Sequence, residues 1–193
     1  MEELRTHGRF RFRHARTFVE AESLGRRDDE QARVFRTEPL AKQTEHFRDR
    51  NKTPLEMSIR FRLVGETGKP LDYYMLCFAL EYDGSLFKDF GSNSCLAIND
   101  PKLFCERVEA SCRKRFPDCD FYASEVSYYP DVAFLEAFAG EPLLFRKSEG
   151  DEGIFRRQNE YRLVCGIAPA LSSEDNLSFE AGSMSDIAEF HAP

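Results

Sequence analysis

Hydrophobic and polar residues alternate strictly in several short stretches of the chain, which is the pattern of β-strands with one buried face. Residues 9–13, RFRFR, place arginine on one face and phenylalanine on the other. Residues 55–63 alternate in the same way. Residues 73–80 and 161–168 are nearly continuous apolar runs of strand length, which indicates strands in the middle of a sheet.

One helix is predicted to begin after Asp100. Asp is a favoured N-cap residue, and Pro101 suits the first helical position. Apolar residues then recur at helical spacing as far as Phe116, and Arg113–Arg115 place positive charge in the last turn. Pro117 predicts the end of the helix.

The other predicted elements are short. We expect strands at Ser94–Ile98, Phe121–Tyr129, Leu143–Lys147 and Leu177–Phe179, a short helix at 133–139, and a closing turn and helix over Gly182–Phe190. About seven strands with two or three helices, not in regular alternation, indicate an α+β fold with a mostly antiparallel or mixed sheet. Residues 1–193 fit a single domain. Within it, residues 25–54 are polar and rich in charge, which predicts either a long functional loop or an irregular segment.

Composition narrows the class of protein. The 193 residues are 41% hydrophobic and 32% charged, which excludes collagen-like and wholly disordered chains. No apolar run approaches the roughly 20 residues that span a bilayer. The N-terminal residues lack the apolar core of a signal peptide, and the six cysteines form no CxxC pair. We therefore expect a cytoplasmic protein with structural thiols, no membrane contact and no metal site.

Charge is distributed unevenly along the chain. Residues 1–62 carry 15 Lys and Arg against 11 Asp and Glu, whereas residues 63–193 carry 12 against 23. The net charge of −7 disfavours non-specific binding of nucleic acid. The arginine-rich first third suits one small anion, because guanidinium groups match phosphate and carboxylate geometry.

The arginines concentrate in three places, each with a candidate role. The first is the basic face of the first strand, formed by Arg9, Arg11 and Arg13. The second is the turn at Arg26, which is able to hold a phosphate. The third surrounds Glu160, where period two places three side chains on one side of a strand: Gln158, Glu160 and Arg162. A carboxylate in that setting can orient a sugar hydroxyl or stabilise a developing cation.

Two longer patterns resemble a family of small, uncharacterised bacterial proteins often met in prophages and mobile elements. The first is Gly8-Arg9-Phe10-Arg11-Phe12, followed by Phe18, Glu22, Arg26, Asp28 and, as an optional member, Glu30. The second is Phe145-Arg146-Lys147, Phe155, Gln158–Arg162 and Gly182–Ile187. The resemblance is loose over residues 31–70 and implies no established activity.

The Gln158-x-Glu160 pattern before a late strand resembles the ADP-ribosyltransferase fold. This resemblance implies a transferase that cleaves NAD and modifies a macromolecule, as a toxin or a defence effector. Glu160 would be the catalytic acid that holds the ribose and stabilises the oxocarbenium-like state, and Gln158 would orient the acceptor. Tyr73 or Tyr74 would replace a middle Ser-Thr-Ser. An arginine of the first strand would hold NAD, with three candidates left open: Arg9, Arg11 and Arg13.

Three other functions remain open. A non-catalytic sensor would hold a phosphate-bearing nucleotide with Arg26, Arg156, Arg157 and Arg162. A metal-dependent nuclease would use Asp28, Glu30 and Glu160, although the acidic second part of the chain opposes a phosphodiester substrate. An interaction protein would use the acidic residues 171–193 to bind a basic partner or a second copy of the chain.

Overall fold

The computed structural model describes residues 2–18, 32–36, 58–62, 73–129, 145–148, 155–166 and 174–191. These ranges contain eleven strands and three α-helices. The strands are β1 Arg9–His14, β2 Ala32–Arg36, β3 Ser58–Arg62, β4 Tyr73–Ala79, β5 Cys95–Ile98, β6 Asp120–Glu125, β7 Ser127–Tyr129, β8 Arg146–Ser148, β9 Glu160–Gly166, β10 Asn176–Glu180 and β11 Ala188–His191. The helices are α1 Glu2–His7, α2 Ser85–Phe90 and α3 Pro101–Arg115.

Five strands form the central sheet in the order β10, β1, β4, β9 and β6, and all neighbours are antiparallel. The pairs β5 with β11 and β2 with β3 are also antiparallel, whereas β7 and β8 are parallel. The α+β class with mostly antiparallel strands is therefore confirmed. Among the described residues, no helix has the length and the apolar character needed to cross a membrane.

Helix α3 packs on the first face of the sheet. Its first turn is capped by Asp100, whose carboxylate accepts a hydrogen bond from the backbone N–H of Leu103 at 2.9 Å. The helix buries one stripe against β1, β9 and β10, with Phe104, Val108 and Cys112 inside. From the sheet, this first core takes side chains that include Phe10, Phe12, Tyr74, Leu163, Cys165, Leu177 and Phe179. Each large apolar side chain fully buried there contributes roughly 1.5–3 kcal/mol.

The second face of the sheet carries a smaller apolar cluster. Its buried members are Ala15, Tyr73, Met75, Phe145 and Val164, with Phe18 and Cys77 packed at its edge. This face also carries the arginines of β1, because Arg13 pairs with Met75, and Met75 pairs with Val164 across the sheet. Directly opposed residues of neighbouring strands share a face. The two faces therefore differ: one is a continuous core and the other mixes apolar and charged groups.

Two stretches differ in detail from the predicted elements. The helix expected within Gly182–Phe190 is wrong: a tight turn closed by Ile187 N–H on the Met184 carbonyl leads into β11. Pairing with the edge of β5 competes with a helix there, since β11 satisfies backbone groups that β5 leaves open. The expected strand Phe121–Tyr129 divides at Val126 into two strands. The first, β6, pairs with β9, and the second, β7, pairs with β8.

Three further predictions fall partly or wholly outside the described residues. The segment 25–54, expected to be irregular, contains the strand β2, and its other residues lie outside the described ranges. The helix expected at 133–139 and the candidate Arg26 also lie outside them.

Two glycines bring the N-terminal and C-terminal segments into close contact. Gly8 has φ 58°, and a β-carbon there would collide with the carbonyl oxygen of Gly182. Backbone hydrogen bonds flank the contact: Ala181 N–H donates to Gly8 at 3.1 Å, and Met184 N–H donates to Arg5 at 2.9 Å. Both the backbone conformation and the space at Gly8 therefore require glycine.

We expect Gly8→Ala to lower the free energy of unfolding by at least about 2 kcal/mol, because alanine adds left-handed strain and a backbone collision. Urea denaturation followed by circular dichroism measures the change. Gly84→Ala is the matched control: Gly84 has φ −59°, and its β-carbon would meet no atom within 4 Å. Equal, small changes in both variants would contradict the close-contact explanation.

Candidate functional site

Alternation on β1 and β9 places the charged candidates on the second face of the sheet. On β1, Phe10 and Phe12 are buried in the first core, while Arg9 and Arg11 are exposed on the opposite face. On β9, Tyr161 and Leu163 pack toward α3, so Glu160 and Arg162 lie on the second face. The side chains of both strands therefore alternate between the two faces of the sheet, as predicted from the sequence.

Glu160 is the centre of a buried ion network. Its Oε1 accepts a hydrogen bond from Arg162 Nε at 2.6 Å, and its Oε2 lies 3.3 Å from a second guanidinium nitrogen of Arg162. Lys147 Nζ contacts the same Oε2 at 3.4 Å. The side chains are 4% exposed for Glu160, 0% for Arg162 and 5% for Lys147. A carboxylate this deeply buried requires such cations, because an isolated charge is very costly away from water.

The same residue ties together strands that belong to different sheets. The backbone N–H of Glu160 donates to the hydroxyl of Tyr128 on β7 at 3.1 Å, while Lys147 lies on β8. Lys147 Nζ also lies 4.5 Å from the centre of the Phe155 ring, a cation–π contact. Burial, and then the negative charge of Glu160, raise the pKa of Tyr128 to about 12, so its hydroxyl stays protonated at neutral pH.

A short 3₁₀ turn, Arg156–Gln158, leads into this network and places Gln158. The turn ends at Asn159 in the left-handed conformation, with φ 41°. The carbonyl of Asn159 accepts a hydrogen bond from the N–H of Leu80 at 2.8 Å, which fixes the turn to the end of β4. Gln158 is 5% exposed and precedes Glu160 by two residues.

A large cleft lies along β1 and the second half of β4. The two strands pair only at Arg13 with Met75 and at His14 with Tyr74, and β4 continues to Ala79 beyond that pairing. The cleft encloses about 1070 Å³, which is the size of a ligand-binding site. Its apolar lining includes Phe18, Met75, Leu76, Phe78, Leu80, Tyr82, Leu86, Phe87, Leu96, Ile98 and Phe104. Its charged and amide lining includes Arg11, Arg13, Glu81, Asp83, Glu106, Glu109, Lys147, Gln158 and Glu160.

Four of the predicted site residues meet in this cleft. Arg11, Arg13, Gln158 and Glu160 all line it, although they are up to 149 positions apart in the chain. Arg13 donates to the Thr17 carbonyl at 3.3 Å, and its guanidinium lies 5.0 Å from the centre of the Phe18 ring. The Arg11 side chain is exposed and has no hydrogen bond or ion pair with any residue in the described part of the chain.

The other predicted residues lie elsewhere. Arg9 is outside the cleft and pairs with Glu180 on β10 at 2.6 Å on the open surface. Tyr73 is 1% exposed in the smaller apolar cluster, and Arg162 is buried behind Glu160. Arg26 is outside the described ranges. Arg11 and Arg13 are thus the two first-strand arginines that share a cavity with Glu160.

Three contributors to the cleft were missed by the sequence analysis. Lys147 lies in a short predicted strand, and alternation along that strand places it on the same face as Phe145. Nothing in the sequence indicates that this face contacts Glu160. Tyr82 and Phe87 flank a turn and a short helix after β4, and their rings lie 6.0 Å apart. The only feature of the sequence that could have indicated Tyr82 and Phe87 is that they are aromatic residues in a mainly polar stretch.

Three of the six cysteines form a separate group in the first core, whereas Cys77, Cys95 and Cys105 line the cleft. Cys112, Cys119 and Cys165 are buried, and the Cys165 thiol interacts with the other two. Burial raises the pKa of Cys119 to about 11, and a hydrogen bond with Cys112 together with burial raises the pKa of Cys165. The raised pKa values make Cys119 and Cys165 poor nucleophiles, and the buried group as a whole packs the core.

Comparison with protein families, with curated proteins and with solved structures found no match.

We expect Glu160→Gln to lower the free energy of unfolding by about 3–5 kcal/mol, because two buried cations lose their carboxylate. Glu180→Gln is the matched control, since Glu180 also pairs with an arginine at 2.6 Å but on the open surface. We expect its denaturation midpoint to match that of the wild type. Urea denaturation of both variants measures the difference, and similar midpoints would show that the buried network is not needed for stability.

Proposed function

We propose that this protein binds a phosphate-bearing, nucleotide-like anion in the cleft. The observation that carries the proposal is Arg11, an exposed guanidinium on the wall of a cavity of about 1070 Å³ with no ion pair to another described residue. Arginine suits this role because its planar fork donates two parallel hydrogen bonds to phosphate oxygens. Arg13, two residues further on the same face, adds a second positive charge to the same cavity.

The charge of the rest of the chain supports a small ligand over a polyanion. Residues 63–193 carry 12 basic against 23 acidic side chains, and they include most of the cleft wall. A nucleic acid strand that extended beyond the arginines would meet this acidic surface. We also propose a cytoplasmic location, which the free thiols of all six cysteines support.

We expect ADP or pyrophosphate to raise the melting temperature of the wild type, since a ligand at a hundred times its Kd stabilises the native state by about 2.7 kcal/mol. Arg11→Ala should weaken that binding by roughly tenfold or more, because it removes a charge-assisted hydrogen bond. Calorimetric titration and thermal unfolding measure both effects.

The matched control for Arg11→Ala is Arg9→Ala. Arg9 lies on the same face of β1, but outside the cleft and paired with Glu180, so its loss should leave the affinity unchanged. If no phosphate compound shifts the melting temperature, or if both variants bind like the wild type, the proposal is wrong. Capture of a stoichiometric protein partner in that case would favour the interaction role.

A second candidate is NAD cleavage, supported by Gln158 and Glu160 on the wall that they share with the two arginines. In this reaction the bond between ribose C1′ and the nicotinamide nitrogen breaks, and nicotinamide leaves with the electron pair. The acceptor nucleophile then bonds to C1′ and loses its proton. Glu160 would stabilise the positive charge that develops on the ribose. Both of its oxygens already contact cations, which favours binding over this catalysis.

NAD labelled in the nicotinamide group tests this second candidate. A catalytic role for Glu160 predicts release of labelled nicotinamide by the wild type and a loss of about a hundredfold in Glu160→Gln, measured at a temperature at which circular dichroism shows this variant to be folded, because a group that stabilises developing charge is removed. Glu180→Gln, which lies outside the cleft, should retain full turnover. Absence of nicotinamide release by the wild type would exclude the reaction, even where ADP binds.

A further inference from the structure

An exposed aromatic residue lies at the end of the cleft. Tyr82 follows the end of β4, is 65% exposed and lines the cleft together with Phe87. Its ring lies 6.0 Å from the ring of Phe87 and 6.3 Å from the ring of His191, which support it from the side. Large exposed aromatic surface beside a cavity indicates a binding site, because it gains free energy when a ligand covers it.

Carboxylates flank this aromatic end of the cleft. Glu81 and Asp83 lie on either side of Tyr82 and line the same cavity. The Glu81 carboxylate has no hydrogen bond or ion pair with another described residue. Asp83 accepts a hydrogen bond from the N–H of Ser85 at 2.8 Å, and hydrogen bonds from Ser85 lower its pKa, so it is ionised at neutral pH.

The cleft is therefore polarised along its length. Guanidinium groups attract an anion at the end near β1, whereas Glu81 and Asp83 at the Tyr82 end accept hydrogen bonds from N–H donors. Tyr82 is seven residues beyond Met75, which pairs with Arg13, so the backbone from Met75 to Tyr82 spans at most roughly 23 Å at about 3.3 Å per residue. A ligand that contacts both ends must be extended and carry unlike groups at its ends.

A free nucleotide has this combination of groups: a phosphate chain, a flat aromatic ring, and amino donors on the ring. We infer that the ligand is a free nucleotide whose base stacks on Tyr82 with its exocyclic amino group toward Glu81, and whose phosphates reach Arg11 and Arg13. This inference rests on the proposed function and adds the position of the base, the direction of the ligand and a preference for bases with an exocyclic amino group.

Calorimetric titration with three probes tests the inference: ADP, inosine diphosphate and pyrophosphate. The wild type should bind ADP roughly tenfold more tightly than pyrophosphate, because one base is stacked. It should also prefer ADP to inosine diphosphate, which lacks the exocyclic amino group. Tyr82→Ala should reduce the affinity for ADP to about that for pyrophosphate, and Tyr82→Phe should retain the affinity for ADP.

Tyr122→Ala is the matched control, since Tyr122 is 49% exposed on β6 and lies outside the cleft. Its affinity for ADP should equal that of the wild type. If pyrophosphate and ADP bind equally well, or if Tyr82→Ala leaves the ADP affinity unchanged, the base site is wrong while phosphate binding by Arg11 stands. If pyrophosphate and ADP both fail to bind, the proposed function itself is wrong.

Two further probes separate the free nucleotide from ligands that share part of its chemistry. Decanoate satisfies the arginines and the apolar wall but has no ring, so binding of decanoate without binding of ADP would overturn the inference. Single-stranded oligoadenylate carries the same base and phosphate as a nucleotide. If it binds more tightly than ADP, the assignment of a free nucleotide is overturned in favour of a nucleic acid strand.

Discussion

Glu160 holds the two-stranded sheet of β7 and β8 against the central sheet, to which its own strand β9 belongs. Its backbone N–H contacts Tyr128 on β7, its buried carboxylate contacts Lys147 on β8, and the same carboxylate pairs with Arg162 on β9. A charge in this position restricts its neighbours far more than an apolar residue would, because only a cation with good geometry compensates its lost hydration. The segment with Phe145 and Lys147 is therefore held at one place on the sheet, where it covers the second face and forms part of the cleft wall.

The cleft itself results from the register of two strands. Because β1 and β4 pair at only two positions, the arginine face of β1 and the apolar end of β4 border one space instead of a closed sheet. The arginines come from the first strand and the apolar wall mostly from the centre of the chain, whereas the amide of Gln158 comes from the 3₁₀ turn before β9 and the carboxylate of Glu160 from the start of β9. Mixed chemistry in one cavity is what a ligand with unlike parts requires.

The sequence predicted those elements that depend on residues close to one another in the chain. Asp100 and Pro101 define the start of α3, the apolar run from Tyr73 marks the central strand, and period two separates the faces of β9. The contact between Lys147 and Glu160 was not predictable in this way, because alternation gives the face of a side chain but not its neighbour on another strand. The segment after Gly182 was misassigned for a related reason: β11 forms because β5 offers an edge, and that edge is distant in the sequence.

The pairing of β1 with β10 has a consequence for synthesis of the chain. Arg9 and Glu180, which are opposed in this pair, are 171 positions apart. At about 5–20 residues per second, a ribosome needs roughly 9–34 s to make the chain between them. During that time Phe10 and Phe12 lack Leu177 and Phe179, which complete their part of the core. Strand β1 thus waits for β10, so closure of this pair of strands is a late, non-local step in folding.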